Sequence, residues 1–157
     1  MRVEYLIIHC TATKEGKRVT GDDIRNWHLS PVSEGGRGWK QVGYRQLIRL
    51  DGIEKLVGDN GDEFIDPWEI TNGVAGYNSK SIHICYAGGL DENGEPKDTR
   101  NPLQKRLMEG VVLNYIKEYP WIKVGGHYQL DKNKACPCFD VPKWLKGIGV
   151  TDKNILR

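Results

Sequence analysis

The run from Glu4 to Cys10, Glu-Tyr-Leu-Ile-Ile-His-Cys, constrains this chain more than any other stretch. Its apolar residues are continuous rather than alternating, the mark of a strand buried on both faces. Such a strand needs cover on two sides, so the chain must build a sheet packed against other elements. It also puts His9 at the C-terminal end of the strand, where sites in sheet proteins commonly open.

The other elements follow from caps and periodicity. Thr20 followed by Asp23 resembles a capping box and predicts a helix with Ile24, Trp27 and His28 on one face, stopping near Ser30 before Pro31. Tyr44–Leu50 and Ile53–Val57 flank Asp51-Gly52, a two-residue hairpin signal. Residues 58–73 carry Asp59, Asp62, Glu63, Asp66 and Glu69 without periodicity and read as a long acidic surface loop. Ser81–Ala87 reads as a strand, ended by Gly88-Gly89. Pro102 opens a helix whose stripe is Leu103, Leu107, Val111 and Tyr115. Trp121–Gly125 reads as a short strand followed by Gly126-His127, and Val141–Lys146 as a brief helix opened by Pro142 and closed by Gly147. The chain has 157 residues, enough for one domain that buries roughly 70% of its unfolded surface without disulfides. The expected fold is α/β (α+β): one domain with a central mixed β-sheet flanked by helices. The domain is expected over 1–147, with a C-terminal tail over 148–157.

Composition removes several classes of function. Lys and Arg total 23 against 21 acids, too balanced for a protein whose main task is to neutralise phosphates. No paired Cys-x-x-Cys spacing is present, so no nucleic-acid partner is expected. No apolar run approaches the roughly 18 residues of a membrane span. The N-terminal apolar stretch is too short for a signal-peptide core. Synthesis in the cytoplasm is expected, and the chain stays there unless something else releases it.

Four cysteines, Cys10, Cys85, Cys136 and Cys138, and four histidines carry the remaining chemistry. Cys136-Pro-Cys138 is too tight for a relaxed disulfide, which leaves metal binding or burial. Zinc is held by imidazole and thiolate, and catalytic sites use three protein ligands plus an open position. If the first strand and the late strand are neighbours, His9, His127 and one cysteine could meet on one ion. Spacing alone leaves this open, because strand-end histidines are commonly satisfied by backbone hydrogen bonds and free cysteines are commonly small buried hydrophobes.

Five motifs then occur in order: Ile-Ile-His-Cys-Thr-Ala-Thr at 7–13, Val-Gly-Tyr at 42–44, and Asp-Gly at 51–52. Gly-Tyr-Asn at 76–78 with Ser-Ile at 81–82 follows, then Lys-Ala-Cys-Pro at 134–137 with Phe-Asp at 139–140. Together they resemble the zinc-dependent N-acetylmuramoyl-L-alanine amidases, which include amidase-type phage lysozymes and peptidoglycan recognition proteins. The resemblance runs from about residue 3 to residue 145. It implies a cleft across one side of the sheet, with Zn2+ held by His9, His127 and Cys136. It implies active-site roles for Tyr44 and Lys134. Lys134 would answer the charge that develops on the oxyanion, and Tyr44 would hydrogen-bond the water or the tetrahedral intermediate. Arg45, Asn78 and His83 are the expected substrate contacts. Retention of Cys136 favours an enzyme, because family members that bind without cutting often lack that cysteine.

The chain departs from the family pattern in places. Arg45 stands where the phage enzymes often have His, and a His common just before Gly-Tyr-Asn is replaced around Asn72-Gly73. His83 stands where many relatives carry Gly, and Cys138 where Ser is frequent. A core or cleft-wall role for His83 is favoured over ligation, and a structural or surface role for His28 over catalysis. The implied activity is hydrolysis of the amide between N-acetylmuramic acid and L-alanine in peptidoglycan or muropeptides, by a phage or prophage endolysin acting as a monomer. The alternatives are a non-catalytic recognition module, a cytoplasmic muropeptide-recycling amidase, and a regulatory protein that binds a cytoplasmic partner, for which no residue identifies a surface.

Overall fold

The computed structural model describes all 157 residues. Its strands in chain order are β1 (Tyr5–Cys10), β2 (Thr13–Lys14), β3 (Gln46–Ile48), β4 (Ile53–Lys55), β5 (Ser81–Tyr86), β6 (Gly89–Leu90) and β7 (Lys123–Gly126). Its α-helices are α1 (Gly21–Leu29), α2 (Pro102–Glu118), α3 (His127–Leu130) and α4 (Val141–Gly147). Five strands form one sheet in the order β4-β3-β5-β1-β7, while β2 and β6 make a small parallel pair. All pairings in the large sheet are parallel except β3 with β4, so the sheet is mixed, as expected.

β1 is flanked by β5 and β7, and five of its six residues are buried. The two faces of the sheet divide the core. Leu6, Ile8, Ile82, Ile84 and Tyr86 pack with Met108 and Val112 of α2. On the other face Leu47 and Cys85 pack with Ile24 of α1. The side-chain alternation of a strand therefore sends His9 and His83 to the α1 face.

Local chemistry accounts for the helix ends. Thr20 and Asp23 form both bonds of a capping box, and α1 stops at Ser30 before Pro31. Ile24 and His28 are buried, but Trp27 stays exposed, so the apolar face of α1 is narrower than its sequence suggests. Asn101 and Gln104 cap α2, with Pro102 in its first turn. The buried line of α2 runs through Gln104, Met108, Val112 and Tyr115, one position over from Leu103, Leu107 and Val111, which flank it. A polar residue heads the line because the Gln104 amide donates to the carbonyls of Ile48 and Ala87, at 3.3 and 2.9 Å.

Three further expectations shift. Ile48 pairs with Ile53, and Arg49 N–H donates to the Gly52 carbonyl at 2.7 Å. Leu50 and Asp51 thus occupy the hairpin tip, rather than Asp51 and Gly52. The 58–73 loop is not simply solvated: Glu69 is buried and accepts from the N–H groups of Asn60 and Asp66 at 2.8 and 2.6 Å. The turn after α4 is made by Gly149 at φ 91°, not by Gly147, which is still helical. Residues 148–157 pack against the sheet. Leu156 N–H donates to Val124 of β7, and the Asn154 amide donates to the carbonyls of Pro120 and Ile122.

Candidate metal centre and cleft

Parallel pairing of β1 with β7 sets Ile8 beside Gly126, so His9 and His127 emerge together at the C-terminal edge of the sheet. A Cβ on Gly126 would lie 2.8 Å from Pro137 Cδ and 2.9 Å from Val141 Cγ2. Only glycine there lets the 134–138 turn close over the strand end. Tyr128 N–H then donates to the Cys136 carbonyl at 3.0 Å, and Cys10 N–H donates to Cys136 Sγ at 3.2 Å. These bonds aim the sulfur at the two histidines.

One ligand atom each from His9, His127 and Cys136 lies within 4.8 Å of the other two. His9 Nδ1 stands 3.8 Å from Cys136 Sγ, near the roughly 3.5 Å separating nitrogen and sulfur around tetrahedral zinc. Two imidazoles and one thiol are a donor set suited to zinc, and three ligands leave one position open. Burial pushes the His9 imidazole well below its usual range, and His83 and His127 push it further. Burial and then Lys134 lower His127, partly opposed by Asp131. Both rings are therefore held neutral, the state a metal ligand needs. The Cys138 sulfur is not in this group; it lies 3.8 Å from Cys10 Sγ. Cys10 is pushed up to about 12, chiefly by its hydrogen bond with Cys136.

The cleft runs past these donors. A hollow of about 680 Å³ is lined by Arg37, Trp39, Asn72, Asn78, His127 and Lys134 among others. A second, of about 340 Å³, reaches Cys136, Tyr44 and Trp27. Lys134 lines both and is exposed. The Tyr44 ring packs against His9 and His28, with centroids 5.2 and 5.4 Å away. Burial raises its hydroxyl well above its ordinary range, and the sulfurs of Cys85, Cys136 and Cys10 add to the shift. A hydroxyl raised in this way keeps its proton at neutral pH.

The expected substrate contacts separate. Asn78 lines the cleft, but its Oδ1 is engaged by Val74 N–H at 2.8 Å and by His83 Nε2 at 2.9 Å. His83 is wholly buried and lies beneath His9, with its Nδ1 2.9 Å from His9 Nε2. Burial pushes His83 down to about 3, with His127 and Arg45 adding to it. Arg45 does not reach the cleft. Neighbours on an extended backbone point to opposite faces, so Tyr44 faces the site while Arg45 goes under α2 and pairs with Asp59 at 3.9 Å. Sequence reasoning missed Arg37 and Trp39, whose cation and ring stack at 4.9 Å. The signal was a cation and an aromatic flanking Gly38 in a glycine-rich loop.

With this geometry in place, the family model for N-acetylmuramoyl-L-alanine amidase matches residues 1–139. This chain belongs to the N-acetylmuramoyl-L-alanine amidase family. Among its relatives, the endolysin of Enterobacteria phage K11 is 34% identical over 139 residues, covering 88% of this chain and 83% of that protein. The endolysin of Escherichia phage T7 is 30% identical over 141 residues, covering 90% and 84%. The Ph2119 endolysin from a Thermus scotoductus bacteriophage superposes with a TM-score of 0.70 at 22% identity, covering 96% of this chain and 87% of that one. The bumblebee peptidoglycan recognition protein PGRP-SA gives 0.66 at 22% identity, covering 93% and 81%. The fold is thus shared with a recognition protein as well as with endolysins. No helix of the chain is long and apolar enough to cross a membrane.

Proposed function

We propose that this amidase is an endolysin that hydrolyses the amide between the lactyl group of N-acetylmuramic acid and L-alanine, using zinc held by His9, His127 and Cys136. The observation that carries the reading is the convergence of those three donors, from segments far apart in sequence, at the edge of a cleft in a chain of this family. Zinc bound there supplies a Lewis acid and an activated water at neutral pH.

The chain's own residues do the rest. Attack on the carbonyl turns its oxygen into an oxyanion, and the Lys134 ammonium stands at the junction of the two hollows where it can meet that charge. A thiolate among the ligands lowers the positive charge at the metal, so an ammonium alongside complements it. Tyr44, protonated and packed on His9, offers a hydrogen bond to the water or to the tetrahedral intermediate. Arg37 and Lys40 line the cleft and suit the carboxylates of a stem peptide.

The test is digestion of purified peptidoglycan, with the products read by mass spectrometry. The account expects peptides beginning with a free L-alanine amine and glycan freed of peptide. A chelator should abolish the release and zinc should restore it. Binding without any amine release would leave a recognition module instead. Cleavage of soluble muropeptides but not of intact wall would point to recycling.

A further inference from the structure

A histidine can bind a metal through one ring nitrogen only while the proton of the neutral ring sits on the other. His9 turns Nδ1 towards Cys136 and Nε2 towards His83 Nδ1, 2.9 Å away. Each neutral imidazole has one donor and one acceptor nitrogen, so the proton between the rings belongs to His9 or to His83. The far end of the chain of bonds decides. His83 Nε2 lies 2.9 Å from the Asn78 side chain, whose same atom takes the Val74 backbone N–H at 2.8 Å. A backbone N–H can only donate, so the atom of Asn78 at that point is its oxygen. His83 Nε2 must then carry the proton, its Nδ1 is bare, and that bare nitrogen accepts from His9 Nε2–H. The lone pair of His9 Nδ1 is left facing Cys136.

We propose that Val74, Asn78 and His83 form a positioning relay that fixes His9 in the Nε2–H tautomer and presents its Nδ1 lone pair to the metal. His83 touches neither metal nor substrate and acts only through His9. The seat for its ring depends on a glycine: a Cβ at position 73 would lie 2.3 Å from His83 Cγ and Nδ1. The imidazole therefore fits only because residue 73 is glycine. Gly73 and His83 are one packing unit. The relay also explains why Asn78 faces the cleft yet has its oxygen already committed.

The proposal rests on His9, His127 and Cys136 being the metal ligands, so its test has two parts. Long-range 1H–15N correlation spectra of the metal-free protein read the ring tautomers directly, with no metal and no activity involved. The relay predicts the Nε2–H form for both His9 and His83; an Nδ1–H form at His83 overturns it. Zinc affinity is then measured by chelator competition. His83→Leu should weaken zinc binding by roughly 10- to 100-fold. His83→Asn, whose amide oxygen falls near the lost Nδ1, should recover most of it. Melting temperatures of the metal-free variants establish that each is folded. Zinc affinity in folded His83→Leu within about twofold of wild type would overturn the relay. A wild type that binds no zinc at all would instead overturn the ligand set, whatever the spectra show. Should His83→Leu fail to fold, the tautomers and the His83→Asn affinity decide.

Discussion

Lys134 stands two positions before Cys136 in the turn that closes over the end of β7, and its ammonium reaches both hollows of the cleft. If it stabilises the oxyanion, Lys134→Ala should lower the hydrolysis rate by about 10²- to 10³-fold. Zinc affinity and melting temperature should stay as in the wild type. Steady-state kinetics on a soluble muropeptide, with bound zinc assayed in parallel, check this; a loss of rate that tracks a loss of zinc would remove the assignment. At this scale much of the site was legible. His9, Lys134 and Cys136 each sit in a short run whose register is fixed by its neighbours, and His127 is announced by the preceding Gly-Gly. Arg45 was not legible, because adjacency in sequence to Tyr44 means opposition in space on an extended backbone. The buried link from His83 to His9 was not legible either, since it depends on the β1–β5 pairing and on the empty space over Gly73.

Elements bring these residues together through a few buried polar bonds. His28, on the buried face of α1, accepts the Gly43 N–H through Nδ1 at 2.9 Å and so holds the segment leading to Tyr44. Burial, with Arg37 adding to it, pushes His28 down to about 4. A histidine depressed in the folded state stays neutral while the unfolded chain takes up a proton. Its contribution is thus complete above about 6.5 and is lost as pH falls towards about 4. Thermal unfolding across pH 4 to 8 should show His28→Asn, which keeps an acceptor but cannot titrate, losing less stability on acidification than the wild type. Parallel curves for the two proteins would show that His28 carries none of the pH dependence. Caps and helix starts were readable in the sequence, as Thr20 with Asp23 and Pro102 show. The buried stripe of α2 was displaced by one residue because Gln104 outcompetes its apolar neighbours. Its amide donates to the Ala87 carbonyl and adds a second bond to the Ile48 carbonyl, which no leucine could do, and leaving a buried carbonyl unpaired costs about 1–3 kcal/mol.

Across the whole molecule, function follows from sheet order. Placing β1 between β5 and β7 sets the strand-end His9 above His83 on one side and beside His127 on the other. The same order leaves α2 to cover the opposite face, so the cleft is confined to one side. A net charge of +2 leaves binding to local groups, such as Arg37, Lys40 and Lys134 along the cleft, rather than to a general field. The central claim is a metal centre of two imidazoles and one thiolate with a fourth position open. Zinc K-edge X-ray absorption on the zinc-loaded protein tests it most directly. The account predicts one equivalent of zinc with a single sulfur at about 2.3 Å and three lighter ligands at about 2.0–2.1 Å. Two or more sulfurs would contradict it, since Cys10 or Cys138 would then share the ion and close the position that the chemistry requires.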